Sequence, residues 1–436
     1  MICLLPIVSW AQSGKLFTVD KELSNSNINC LYQDRHGMVW IATDDGLNMY
    51  DGAKFTIYKH IKNNTNSLSD NNIRVINEDR KGNIIIGTLK GLQIYNSAKG
   101  QFIKAPLLND KGSDMNPHIT CILKRHNGEL MIATSGHRLC NLIYKNNRPI
   151  LTLANVNVPS DFLNYVYEDT HGNLWVSSED KGFLFINKRG KDKHYFLNNG
   201  EMNDGLTGMC TDNKGNLYAS SSKTGLYIYD KKSDKFINIK SKLFNNIPIN
   251  FIFPTGNQIV MGTMGLGLKI YDIKSGQIKN SRMKFTNFNF DSSDIKSLLK
   301  DRMGNIWMGN NGKGVLLIPN KSSQFQYIGY KSLTNNIIGS NSVQAVCKDY
   351  EGTVWLGTAN DGIYSINKAG ASHHFTPKDG DSSIPLYISG IYEDSNHTLW
   401  LYSQVSGLLK MDKRTGHCTS VVLTYKGDEI KAVTAI

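Results

Sequence analysis

Two residue types are scarce in this 436-residue chain: there are 10 prolines, and only 10 of the 49 basic side chains are arginine. Few prolines mean few rigid linkers. Few arginines argue against a nucleic-acid binder, because Arg grips phosphate in a planar fork whereas Lys is a mobile, solvated point charge. The lysines, such as Lys188, Lys191, Lys193, Lys231, Lys232 and Lys235, mix with Asp and Asn and form no basic stripe interleaved with aromatics. The net charge of +12 therefore reads as a Lys-rich surface, with attraction to an acidic ligand as the sharper alternative. No run reaches the roughly 18 apolar residues that a membrane helix needs. The seven cysteines form no Cys-x-x-Cys pair and no ligand spacing with His, so no metal or cofactor is expected. The adjacent His373 and His374 read as solvated loop residues.

Glycine, by contrast, is abundant at 39 residues, and 40% of the chain is hydrophobic. That supports a packed core with many tight turns and suits an all-β chain of short hairpins. Residues 1–11 contain a short apolar run ending in Ser9-Trp10-Ala11, which reads as the remnant of a secretory signal peptide and implies export.

One pattern recurs along the whole length: Asp-x-x-Gly-x-(apolar)-Trp-(apolar)-(small)-Thr/Ser, then Gly, an apolar residue, and an apolar residue before Asp or Asn. Asp34 leads to Trp40, Asp169 to Trp175, Asp301 to Trp307, Asp349 to Trp355 and Asp394 to Trp400. Asp79 and Asp212 anchor the same pattern with Ile85 and Tyr218 in the Trp place. Degenerate copies begin at Arg125 and near Thr255, giving nine units. Five of the six tryptophans stand six residues after an anchor Asp. We read this as a structural repeat with a large apolar packing position and not a chemical one.

Each unit holds an apolar strand, an Asp-x-x-Gly turn of type I character, the Trp strand and two further strands. Four strands in about 45 residues, repeated, mark a β-propeller blade. Cys30, Cys121, Cys210 and Cys347 fall at repeat positions on first strands and read as small buried hydrophobes. The expected fold is all-β. Residues 12–325 form one seven-bladed propeller, and residues 326–436 begin a second, incomplete one with two units and the first strand of a third, Val433–Ile436. Lys15–Val19 is placed to complete the last blade of the first ring, and Gln324–Ile328 has the same look. A chain that stops inside a strand is expected to be part of a longer protein.

The stretches Tyr32–Gly52, containing Asp-Gly-Leu-Asn-Met-Tyr-Asp-Gly, and Lys348–Thr358 resemble the two-component regulator propeller repeat. That repeat fills the periplasmic sensor half of hybrid two-component sensor histidine kinases. The resemblance implies an extracytoplasmic module that recognises glycan fragments and regulates polysaccharide-utilisation genes. It also implies a homodimeric receptor, anchored in the inner membrane through segments beyond this chain. The phospho-acceptor box, ATP-binding box, receiver and helix-turn-helix of that plan do not occur within residues 1–436, so no catalytic residue is expected here. Because repeat residues are structural, ligand contacts are sought in irregular blades. The third unit places Arg125, His126, His137 and Arg138 where an oligosaccharide, in the sharper reading an acidic one, would be met. A propeller glycosidase or lyase and a protein-interaction scaffold are the alternatives. Glu168, Glu393 and Asp44 are carboxylates with repeat-surface explanations.

Overall fold

The computed structural model describes residues 14–430 apart from 21, 159, 180, 198–204, 242–245, 282, 284–287, 321–336, 340–341, 378–382 and 427. The signal-peptide remnant at 1–11 and the strands expected at 324–328 and 433–436 lie outside the described residues. All regular elements described are β-strands. The chain divides into two compact units, residues 1–323 and 324–436.

The first unit contains seven four-stranded antiparallel sheets. The first sheet runs Ile28–Gln33, Val39–Thr43, Gly46–Tyr50 and Phe55–Tyr58 in chain order. Sheets two to six repeat that plan, opening on Ile73–Glu78, His118–Lys124, Leu163–Glu168, Leu206–Thr211 and Ile249–Thr255. The seventh opens on Ile295–Lys300 and differs in one strand. Its outer position is taken by Lys15–Phe17, which pairs with Gly314–Ile318 through Phe17↔Val315. First strands touch their neighbours in cyclic order, the seventh meeting the first, so they surround a common axis. In the second unit, sheets opening on Val343–Lys348 and Gly390–Glu393 have the same order, and Leu423–Tyr425 pairs with Asp428–Ile430.

The repeat motif is explained by hydrogen bonds. In the first turn, Asp34 Oδ1 accepts the amides of His36 and Met38 at 2.9 and 3.0 Å, and Oδ2 accepts the Trp40 indole N–H at 2.8 Å. The indoles of Trp175, Trp307, Trp355 and Trp400 donate to Asp169, Asp301, Asp349 and Asp394 at 3.3, 2.9, 2.9 and 2.9 Å. Where Trp is absent, Asp212 accepts the Tyr218 hydroxyl and Asp79 accepts Tyr144 from the next sheet. The six-residue spacing is thus a bonding distance as well as a packing position, which corrects the purely apolar reading of the Trp site. The motif's Thr or Ser caps the next turn: Thr43, Thr88 and Thr263 donate to the carbonyls of Gly46, Gly91 and Gly267.

The small residue before that Thr serves the neighbouring sheet. A Cβ on Gly309 would lie 2.5 Å from Ile28 of the first sheet, and one on Gly87 would lie 2.6 Å from Ile119 of the third. Branched side chains opening each first strand therefore lie flat on the preceding sheet, and Ile28, Ile73, Ile119, Ile249 and Ile295 are all buried. The six cysteines described are free. Burial pushes Cys30 and Cys121 up to about 11, and Cys140 and Cys210 to about 12, so these thiols are unreactive.

Phe17 is fully buried at the closure, with ring centroids 4.9 Å from Phe55 and 5.9 Å from Trp307. Phe17→Ala is expected to cost about 3–5 kcal/mol in urea unfolding, because it empties the space that joins the last sheet to the first. Acid should also loosen the turns. Asp394 is held below the usual carboxylate range by the Trp400 indole and the Thr398 amide. Asp212 is lowered too: burial pushes it up, but bonds from Asn216, Lys214 and Tyr218 pull it further down. A depressed folded pKa gives stability that is complete above the unfolded value, near pH 4, and is lost as pH falls through the folded one. Tryptophan fluorescence during acid titration should therefore hold steady to about pH 4 and redshift below it.

Candidate functional site

The two ends of the sheets form two distinct faces of the ring. One carries the anchor turns, and the other carries the starts of the first strands. Arg125 and His126 lie in an anchor turn, between His118–Lys124 and Leu130–Ser135. His137 and Arg138 lie beyond the other end of Leu130–Ser135, on the opposite face. The structure does not bring the four together as one basic cluster.

On the anchor face, arginine acts as an inter-sheet latch. Arg125 donates to Glu168 Oε1 of the fourth sheet from Nε and Nη2 at 3.2 and 3.1 Å, and the His126 amide donates to Glu168 Oε2 at 2.6 Å. Arg35 pairs with Glu78 of the second sheet in the same way, and its own amide donates to Glu78 at 3.1 Å. Arg302 closes the ring: its amide donates to Gln33, and its guanidinium donates to the carbonyls of Asp34 and Arg35. The Arg80 guanidinium occupies the space where a Cβ would stand at Gly128 of the third sheet, so that glycine supplies both a positive φ (78°) and room for the latch. In the second unit the Tyr350 amide donates to Glu393, and Lys413 pairs with the same carboxylate at 2.5 Å. Four of the ten arginines are thus consumed between sheets. Glu168 and Glu393 are acceptors within these links.

The opposite face carries a ring of polar residues. Every first strand of the first unit has a register shift one residue after its opening apolar residue. The displaced residues are Asn29, Arg74, Thr120, Asn164, Thr207, Asn250 and Lys296. A β-bulge leaves local ladder groups unpaired and re-aims a side chain. Here the re-aimed side chain meets the next sheet. Asn29 donates to the Ile73 carbonyl at 2.8 Å, Thr120 to Leu163 at 2.8 Å, Asn164 to Leu206 at 3.1 Å and Asn250 to Ile295 at 2.9 Å. Asn29 also donates to Asp44, which takes a second amide from Asn27.

This bulge ring surrounds one mouth of the axis. Arg74 stands 3.8 Å from Asp44, and Lys296 stands 3.5 Å from Asp294. His118, beside Arg74, is held below its usual range by burial and by the Arg74 charge, with Glu179 opposing. Asn164 Oδ1, Asn72 Oδ1, Asp70 Oδ2 and the ring nitrogen His137 Nδ1 are buried polar atoms without a hydrogen-bond partner in the protein. Arg138, at φ 60°, donates to the Val158 carbonyl and faces Asp161 at 3.7 Å. The pair His373 and His374 is divided between ring contacts, one edge-on to Phe375 and the other stacked on Tyr364 at 3.9 Å.

The bulge ring went unread in the sequence, although its signal is present. In every repeat a polar residue stands five positions before the anchor, directly after an apolar one, from Asn29 through Gln344 to Ser389. Arg125→Ala leaves the buried Glu168 without its cation and should lower stability by about 1–3 kcal/mol in urea unfolding. Arg138→Ala, on an exposed turn, should change it by about 0.5 kcal/mol or less.

No curated protein matches this chain. Among solved structures, the extracellular domain of the hybrid two-component system BT3049 from B. thetaiotaomicron superposes with a TM-score of 0.61 at 22% identity, over 96% of this chain and 55% of that one. The corresponding domain of BT4673 from the same organism gives 0.54 at 17% identity, over 95% and 54%. PorZ, an essential surface component of the type-IX secretion system of Porphyromonas gingivalis, gives 0.51 at 16% identity, over 90% and 60%. The chain therefore spans little more than half the length of these structures, and what they share with it is the fold. Residues 22–45 and 337–360 match the two-component regulator propeller family model, so the chain is one that carries two-component regulator propeller repeats.

Proposed function

We propose that this chain is part of the ligand-sensing module of an extracytoplasmic hybrid two-component receptor, and that it recognises an oligosaccharide at the bulge-ring mouth. The observation that carries the reading is the ring of bulged polar side chains around that mouth, among them Arg74, Asn164 and Lys296. A ring of partly exposed polar side chains suits a polyhydroxylated ligand, which brings many hydrogen-bonding groups on a small rigid frame. Arg74, Lys296 and Arg138 stand on the same face and suit a glycan bearing carboxylate or sulfate. Arg125 and His126, spent on Glu168, contribute stability to this reading and no ligand contact. In a dimeric receptor held in the inner membrane, binding would be transmitted as a shift between two arrangements, which requires the ligand to prefer one of them. Control of polysaccharide-utilisation genes would lie with segments beyond this chain.

Calorimetric titration with a panel of neutral and uronic or sulfated oligosaccharides should find saturable binding. The double variant Asn164→Ala/Arg74→Ala should lose at least about tenfold in affinity, roughly 1.4 kcal/mol. Arg125→Ala should bind as well as the parent once folded. Full affinity in the mouth variant, or no binding across the panel, would remove the proposal.

A further inference from the structure

The turn between the second and third strands of the seventh sheet lacks a bond that its counterparts have. In the other six sheets of the first unit a Thr or Ser hydroxyl stands at the start of this turn, and a hydroxyl donates and accepts at once. At Thr43, Thr88 and Ser178 the hydrogen goes to the carbonyl of the glycine that closes the turn. In all six sheets the oxygen takes a backbone amide two or three residues on, at 2.9 to 3.2 Å. The seventh sheet has Asn310 at this place. Its Nδ2 keeps the donor half, reaching the Gly314 carbonyl at 3.3 Å, but its Oδ1 is buried and has no partner. The amide two residues on, that of Gly312, meets no acceptor among the described residues.

The groups around that amide are held in place. The Asn311 amide donates to the Asp294 carbonyl and the Gly314 amide to the Ser26 carbonyl, both at 2.9 Å, and Lys313 Nζ donates to Ser293 Oγ at 3.1 Å. Asn311 and Gly312 are themselves exposed, so water reaches both. Gly312, at φ 73°, has no Cβ to shield its nitrogen.

We propose that Asn311 is a deamidation site. The Gly312 nitrogen attacks Cγ of the Asn311 side chain and gives up its proton. The Cγ–Nδ2 bond breaks, Nδ2 takes up a proton, and ammonia leaves a cyclic succinimide behind. Water then opens the ring. Cleavage of the Cγ–N bond gives aspartate, and cleavage at the backbone carbonyl gives isoaspartate, in which the chain runs through the side chain. Nothing is oxidised or reduced, and water is the only co-reactant. The product changes the edge of the bulge ring. Asn311 Nδ2 donates to Asp294 Oδ2 at 3.0 Å, and the same carboxylate accepts Asn250 at 2.7 Å and faces Lys296 at 3.5 Å. Deamidation replaces that donor with a second anion, which repels Asp294 and competes for Lys296. The proposal rests on the geometry of the turn and not on what binds at the mouth.

The chain carries its own control. Asn127-Gly128 is the same dipeptide, placed in the anchor turn of the third sheet. There the Gly128 amide donates to the Arg125 carbonyl at 2.7 Å, and Asn127 bonds the amide and the carboxylate of Glu129 at 3.0 and 2.8 Å. The nucleophile of that step is occupied. The remaining Asn-Gly step, at 199–200, lies outside the described residues.

Peptide mapping of the native full chain after incubation at neutral pH tests this, with isoaspartate-specific enzymatic methylation as a second readout. Asn311 should convert at least about fivefold faster than Asn127, the scale set by one hydrogen bond. In urea, where neither turn persists, the two rates should converge. Asn310→Thr restores the hydroxyl and should slow Asn311 by about the same factor, leaving Asn127 unchanged. If that variant fails to fold, Asn310→Ser supplies the same hydroxyl and serves in its place. Equal rates at the two steps in the native chain, faster conversion at Asn127, or an Asn311 rate indifferent to the restored hydroxyl would each overturn the proposal.

Discussion

One carboxylate geometry sustains this fold. In each well-formed repeat an aspartate closes a tight turn, takes one or two backbone amides on one oxygen and holds an indole or phenol on the other. The same group thereby fixes the path of the chain between the first two strands and the position of the largest buried ring. Each such bond contributes about 1 kcal/mol, but its partner is a ring whose burial is worth about 1.5–3 kcal/mol. Orientation and burial are therefore coupled in a single residue pair. Losing the aspartate would leave buried amides and an indole N–H without acceptors, which is why the two members occur at a fixed separation.

Between sheets, cohesion is distributed over three levels. Bulged side chains bind the next sheet on one face, branched aliphatic residues lie on glycine or other small residues in the middle, and arginine latches act on the other face. The latches are uneven. Arg302, Arg35, Arg80 and Arg125 join the seventh sheet through the first, second and third to the fourth. At the fourth-to-fifth interface no arginine latch stands, and Tyr167 of the fourth sheet bonds Thr211 of the fifth at 3.1 Å.

Most of the fold was legible because its determinants are local and periodic. Asp34, Gly37 and Trp40 form one hairpin, so their spacing reports their geometry directly. The polar character of the Trp position was missed because spacing alone does not say where an indole N–H points. Arg125 was singled out as the oddity of a degenerate repeat, and its partner Glu168 lies 43 residues away. In sequence, an arginine committed to the next sheet looks the same as one awaiting a ligand. The bulge ring was hidden for a different reason. Asn29, Arg74, Thr120 and Lys296 differ in size and charge, and they share only a backbone irregularity that carries no residue signature.

The N-terminal strand has a consequence for biogenesis. Lys15–Phe17 is among the first described segments to be synthesised, yet its partner Gly314–Ile318 is made roughly 300 residues later. At about 5–20 residues per second, that partner emerges some 15–60 seconds afterwards. Until then the first strand has no sheet to join and the ring has an open seam. Unpaired strand edges are templates for association with other chains. Completion of the ring therefore marks the point at which the nascent protein pairs the outer edge of its seventh sheet and encloses Phe17.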